Sequence, residues 1–254
     1  MLRMAATARP LIVALLVLVP VLTAWAQGFG VSPIRLDLDR ATRNASITVN
    51  NDDDKPLGFQ VRPMEWIQDA EGKDQYLETR DLIVFPQQFQ VPPGKNRIFR
   101  VGYRNPAIRT EKAYRVFIED LPGPASTNPD ESSSVVISVQ FGVPVFLRPV
   151  TIEQRGQLQR FEIVSNKLVG ELQNTGTVHI RPTSVKVQGL DERGASVFEQ
   201  VFDGWYILTG AARRFSAPLP AGACERTRKL MVEAVGEKLA LKSEFAQKAG
   251  GCVP

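Results

Sequence analysis

The chain is poor in the side chains that most catalytic chemistry needs. Its 254 residues include one histidine, His179, and two cysteines, Cys224 and Cys252. A Ser-His-Asp triad would have to use that histidine. His179 lies between Val178 and Ile180 in an alternating segment, so it reads as a structural residue at a surface or interface. One histidine and two cysteines make no convincing zinc set. Asp52, Asp53 and Asp54 are consecutive, without the spacing of a calcium loop, and read as a solvated turn. Glycines form no phosphate-binding pattern after a strand. Glu119 and Asp120 are neighbours on one expected strand, so they face opposite ways and form no acid–base pair. These absences argue against an enzyme, and no cofactor or metal is expected.

Charge of one sign is also lacking. Lys and Arg total 31 and Asp and Glu 27, mixed along the chain. No basic block with interleaved aromatics suggests nucleic acid. The chain has one long apolar run, Leu11 to Leu22, too short to span a bilayer comfortably. Arg3 and Arg9 precede it, and Ala24-Trp25-Ala26 follows with small residues at both positions of a cleavage site. Residues 1–26 therefore resemble a secretory signal peptide, with an uncleaved anchor as the alternative. The expected product starts at Gln27, is exported and has no stable membrane insertion. Its net charge is +2 once Arg3 and Arg9 are gone. In an oxidising compartment the even cysteine pair is most simply one disulfide, Cys224–Cys252. A free pair or a redox pair is less expected, because the spacing is not C-x-x-C.

Helix signals are weak throughout, and short alternating segments dominate. Ala45–Asn50, Gly58–Ile67, Leu82–Phe85, Asn96–Arg104 and Ala113–Asp120 read as strands separated by turns such as 51–56 and Val91-Pro92-Pro93-Gly94. Gly30–Leu38 reads as one edge strand that starts near Pro33. Turns every eight to twelve residues match an immunoglobulin-like sandwich. Arg148-Pro149-Val150 is the best boundary, giving domains at 27–148 and 149–254. The second domain repeats the style. Its last two segments, Thr227–Val235 and Lys238–Phe245, are rich in Ala, Glu and Lys but are read as strands.

The first domain ends in its most apolar stretch, Ser134–Pro149. Val135, Ile137, Val139, Phe141 and Val143 form an almost unbroken apolar ladder on one face. Pro144 lacks an N–H and suits an edge. Two readings stay open from periodicity alone. The stretch is an ordinary core strand, or it is an edge that pairs with a partner's strand and fills the partner's core.

Several segments together carry a family resemblance. They are V-S-P-I-R at 31–35, V-N-N at 49–51, Phe85 to Gly94, and R-V-G-Y-R at 100–104. Y-R-V-F-I-E-D-L-P at 114–122, V-F-L-R-P at 145–149, N-T-G at 174–176 and the run 206–215 complete the set. In this order they resemble the periplasmic chaperones of the chaperone–usher pathway of fimbrial assembly, nearest the archaic, spore-coat-U-associated branch. The resemblance implies an all-β fold of two immunoglobulin-like sandwiches set at an angle around a cleft. It implies a chaperone that completes the unfinished sandwich of a pilus subunit by donor-strand complementation and passes it to an outer-membrane usher. Val135, Ile137, Val139 and Phe141 fall on the donor positions. Arg35 falls on one of two basic residues that hold the subunit's terminal carboxylate. The second, a lysine in the best-studied branch, falls on Pro144, so Arg100, Arg104 or Arg115 is a candidate substitute. Arg148 matches a residue that holds the domains together, with Glu237 as its expected partner. The reading from another class is a secreted immunoglobulin-like fibre subunit or adhesin. Such a subunit would carry an N-terminal donor extension, whereas the first strand here is expected almost at the start of the exported chain.

Overall fold

The computed structural model describes residues 28–104, 108–121, 138–247 and 252. Val135 and Ile137, like the export segment 1–26, lie outside these residues. The first domain runs β1 (Phe29–Ser32), β2 (Leu36–Leu38), β3 (Asn44–Asn51), β4 (Leu57–Gln68), β5 (Asp74–Glu78), β6 (Leu82–Phe85), β7 (Gln88–Val91), β8 (Asn96–Tyr103), β9 (Lys112–Leu121) and β10 (Gln140–Leu147). The second runs β11 (Gly156–Val164), β12 (Lys167–Asn174), β13 (Pro182–Leu190), β14 (Ser196–Asp203), β15 (Ala212–Pro218), α1 (Ala223–Arg226), β16 (Lys229–Gly236) and β17 (Leu239–Ala246).

Each domain is two sheets packed face to face. The first pairs a four-stranded sheet, β1-β3-β8-β6, with a six-stranded one, β2-β10-β9-β4-β5, to which β7 adds along β4. The second pairs β11-β12-β15 with β14-β13-β16-β17. The all-β, two-sandwich architecture expected from the sequence is the one observed, and the Ala- and Lys-rich segments at the end are strands β16 and β17.

Alternation builds both cores. Ile47 and Val49 on β3, Phe59 and Val61 on β4, Phe99 and Val101 on β8, and Tyr114, Val116 and Ile118 on β9 are all buried between the first domain's sheets. The second core gathers Leu168 and Leu172, Val185 and Val187, Phe215, Leu230 and Val232. The expected disulfide joins Cys224 to Cys252 and fastens the C-terminal tail to α1.

One expectation fails at the N-terminus. Gly30–Leu38 is not one strand. The Ser32–Pro33 peptide is cis, and the chain crosses there from the four-stranded sheet to the six-stranded one. β1 pairs antiparallel with β3, and β2 pairs parallel with β10. Arg35, immediately before β2, is thereby placed on the outward face of the six-stranded sheet beside the second domain.

Candidate functional site: a free strand edge beside two arginines at the domain junction

β10 pairs with β9 along its whole length, Gln140 to Leu147, but with β2 only from Val145 to Leu147. Among the described residues, the other edge of 140–144 has no strand against it. Odd-numbered residues of β10 face the sandwich interior. Val143 and Val145 are fully buried there, and Leu147 nearly so. The same face continues outward through Phe141 and Val139, which are 37% and 48% exposed. These two side chains have the orientation of core residues but lie past the end of their own core.

The outward face of the sheet carries the charge. The Arg35 guanidinium lies 5.0 Å from the Phe146 ring centroid, and its Nη2 donates to Asp37 Oδ1 at 3.0 Å. Burial works against the Arg35 charge, but the hydrogen bond to Asp37 and the charge of Asp37 outweigh it and hold the pKa above its ordinary value. Arg115 stands directly opposite Pro144 in the β9–β10 register. Its guanidinium lies 4.3 Å from the Trp66 ring centroid and 5.9 Å from that of Trp205, and its Nη1 donates to Gly142 O at 3.0 Å. Its buried Nε has no acceptor among the described residues. Since the Trp66 and Phe146 rings are 6.0 Å apart, the two guanidinium groups rest on adjoining aromatic faces. Cation–π contact keeps such groups charged and oriented while leaving N–H donors free for an anion.

Those rings also join the domains. Trp66 has the opposite parity to Phe59 and Val61 on β4, so the strand fills one core with one face and the interface with the other. Trp66, Phe146 and Ala113 pack against Tyr206 and Leu208 of the second domain. His179 stacks on Phe146 at 3.8 Å and bonds through Nδ1 to Glu111 Oε1 at 2.7 Å. Gln68 donates to Tyr206 O and accepts from Leu208 N, and Trp205 Nε1 donates to Asp74 Oδ2. Gly72 has φ of +78°, and a Cβ there would lie 2.6 Å from Ala212 O, so only glycine fits this contact between domains.

The structure separates the sequence candidates. Arg35 and Arg115 share the outward face of the sheet at the domain junction, with Pro144 between them. Arg100 is on β8 in the opposite sheet, where alternation sends Phe99 and Val101 inward and Arg100 to solvent, opposite Phe85. Arg104 follows β8 in the same sheet region. Neither is placed to assist Arg35. The expected Arg148–Glu237 pair is also replaced. Arg148 Nη2 meets Asp37 Oδ1 at 3.0 Å, so one carboxylate bridges Arg35 and Arg148, while Glu237 sits exposed in the turn between β16 and β17. His179 is interfacial, as its neighbours suggested, but precedes β13 rather than lying in it. Sequence reading missed Glu111, Gln68, Asp74 and Tyr206, whose partners are distant in the chain. The off-parity Trp66 was the one available sign that β4 serves a second interface.

Residues 28–153, the first domain and the start of the second, match the family model of pili and flagellar-assembly chaperones, PapD N-terminal domain. The probable fimbrial chaperone LpfB of Escherichia coli O157:H7 is 26% identical over 129 residues, 50% of this chain and 53% of that protein. The chaperone protein LpfB of Salmonella typhimurium is 26% identical over 131 residues, 51% of this chain and 53% of that protein. The chain thus spans about half the length of the curated relatives it matches. In solved structures, the CsuC–CsuE chaperone–tip adhesion subunit complex of Acinetobacter baumannii gives a TM-score of 0.59 at 15% identity, covering 87% of this chain and 99% of that one. The class 5 fimbriae chaperone CfaA gives 0.57 at 13% identity, covering 85% and 98%. The first domain, through residue 153, thus belongs to the family of pili and flagellar-assembly chaperones, and the chain shares the two-sandwich fold of the solved chaperones.

Proposed function

We propose that this protein is a periplasmic chaperone for pilus, fimbrial or spore-coat-U-like subunits. It is exported by residues 1–26 and built from domains at 27–148 and 149–254. Residues 135–141 lend their apolar face to a subunit whose own sandwich lacks a strand. Arg35, with Arg115 as its second cation, takes the subunit's terminal carboxylate in the cleft. The chaperone then yields the subunit to an outer-membrane usher. The action is binding and release and makes or breaks no covalent bond.

The observation that carries this reading is the exposure of Val139 and Phe141 in core orientation, at the end of a strand whose outer edge is unpaired among the described residues. Large exposed apolar side chains on an unpaired edge invite aggregation unless a partner covers them. Burying a side chain of this size contributes about 1.5–3 kcal/mol, reduced by the cost of ordering the partner strand. A paired-arginine site suits a carboxylate because guanidinium donors match its two oxygens.

The test is coexpression with a fimbrial subunit encoded beside the chaperone, followed by size-exclusion chromatography. A one-to-one complex that is lost in Ile137→Asp and Val139→Asp is expected. A complex that survives both substitutions overturns the strand assignment. Arg35→Ala and Arg115→Ala are each expected to lower the yield of complex, and unchanged yield removes the carboxylate role from that residue.

A further inference from the structure

Pro144 sits where the free edge of β10 ends, and its missing N–H has a direction. Asp120 N donates to Val139 O at 3.2 Å, which makes that opposed pair a hydrogen-bonded one in the β9–β10 ladder. Such pairs recur at every second residue of an antiparallel ladder. Residues 141, 143 and 145 therefore spend their backbone groups on β9. Residues 140, 142, 144 and 146 turn theirs to the other side. Arg148 N donates to Leu38 O at 2.8 Å, and this extends the even series onto β2. The edge that a partner strand would meet thus offers the N–H and C=O of Gln140 and Gly142, while the C=O of Pro144 is already turned to Leu36 at the start of β2. The edge has no N–H at 144.

β2 runs parallel to β10 and begins with Leu36 opposite Val145. A partner strand whose C-terminus approaches Arg35 must run parallel to β10 as well, in line with β2 and ending where β2 starts. In parallel pairing, the partner residue whose N–H reaches Gly142 O turns its own carbonyl toward the nitrogen of residue 144. In this chain that carbonyl meets no donor.

The geometry points to Pro144 as a register stop that selects the end of the partner chain. This rests on the subunit-binding function proposed above. A mid-chain carbonyl facing Pro144 would be left without a donor on this edge. A terminal carboxylate at the same place has Arg35 and Arg115 on either side and does not need the amide. The partner's last residue is therefore the one that bonds Gly142 O, and chains continuing past it are disfavoured. Gly142 fits this role, since its carbonyl already accepts from Arg115 Nη1 and so ties the guanidinium to the stop. A Cβ at 142 would come within 3.1 Å of the Phe117 ring, a tight contact to which the ring would have to yield.

The experiment uses a fimbrial subunit encoded beside the chaperone. It is prepared with its native C-terminus and with a two-residue Gly-Ser extension. Both forms are measured against the wild-type protein and against Pro144→Ala and Pro144→Ser, each of which restores the N–H without adding charge. The native subunit should bind all three proteins within about threefold. The extended subunit should bind the two variants about tenfold more tightly than wild type, the equivalent of about 1.4 kcal/mol. Equal binding of the extended subunit to wild type and both variants overturns the register stop but leaves the chaperone role intact. Weakened binding of the native subunit to both variants also overturns it, because the restored N–H would then obstruct the native terminus. If the wild-type protein binds neither form, the subunit-binding function itself fails, and the register stop falls with it.

Discussion

Glu111 Oε1 accepts two hydrogen bonds from a single residue of the other domain, His179, through its backbone N–H at 2.9 Å and its Nδ1 at 2.7 Å. Both side chains are almost wholly removed from solvent, at 1% and 5% exposure. With Glu111 ionised, Nδ1 carries the hydrogen, so one carboxylate oxygen fixes both the backbone and the ring of His179. The ring then lies flat on Phe146, and Phe146 belongs to the strand whose other end is the free edge.

Glu111→Ala removes the acceptor and leaves two buried donors without one. A loss of about 1–3 kcal/mol is expected in urea unfolding. Solution scattering should also report a wider range of domain orientations. Glu111→Gln keeps an acceptor oxygen and should lose less on both measurements.

The sandwich cores were legible in the sequence because alternation is a local signal. Phe59 and Val61, Phe99 and Val101, and Val185 and Val187 all lie where period two put them. The disulfide was legible because only one pairing of two cysteines exists. The domain interface was not, because its contacts join residues as far apart as Gln68 and Leu208. Arg148 illustrates the limit. Position and charge marked it as an organising residue, but its partner depended on the chain crossing sheets at Pro33, which brings Asp37 beside β10. The placement of Arg115 opposite Pro144 required the β9–β10 register, and no local pattern supplies that.

The Cys224–Cys252 bridge spans 28 residues of chain and is the tail's covalent tie to the second core. Loop closure of this length restricts the unfolded chain by about 3–4 kcal/mol. Cys252→Ser, or the wild-type protein in a reductant strong enough to open the bridge, should lower the urea midpoint accordingly. The first domain's contribution should be unaffected, and tryptophan fluorescence with far-UV dichroism can follow the two transitions.

Asp81 Oδ2 accepts from Lys112 Nζ at 2.8 Å and from the Tyr114 hydroxyl at 2.7 Å. The bond from Lys112, then that from Tyr114, hold the Asp81 pKa below the usual carboxylate value. Burial, followed by the bond to Asp81, pushes Tyr114 far above its ordinary range. A carboxylate with a lowered folded pKa stabilises the fold above its unfolded pKa, and that contribution is lost as pH falls through the folded value. Asp81→Asn should therefore be less stable than wild type at neutral pH. The difference should shrink as pH falls below about 4, where the unfolded carboxylate protonates. Asp81 is partly exposed, so the gap should be modest and should narrow with added salt.

The cleanest separation of folding from binding lies along one face of β10. Val143 and Phe141 are two residues apart and point the same way, yet one is fully buried and the other 37% exposed. Val143→Asp places an unpaired carboxylate in the first core and should prevent folding or cost well over 3 kcal/mol. Val139→Asp and Phe141→Asp place the same group where water reaches it, and should leave the unfolding free energy in urea within about 0.5 kcal/mol of wild type. If the edge lends its face to a subunit, these two folded variants should lose the complex completely, because each carboxylate would have to enter the subunit's apolar groove. A folded Phe141→Asp protein that still holds its subunit would mean that Phe141 faces solvent in the complex too. The ladder would then have to end before it.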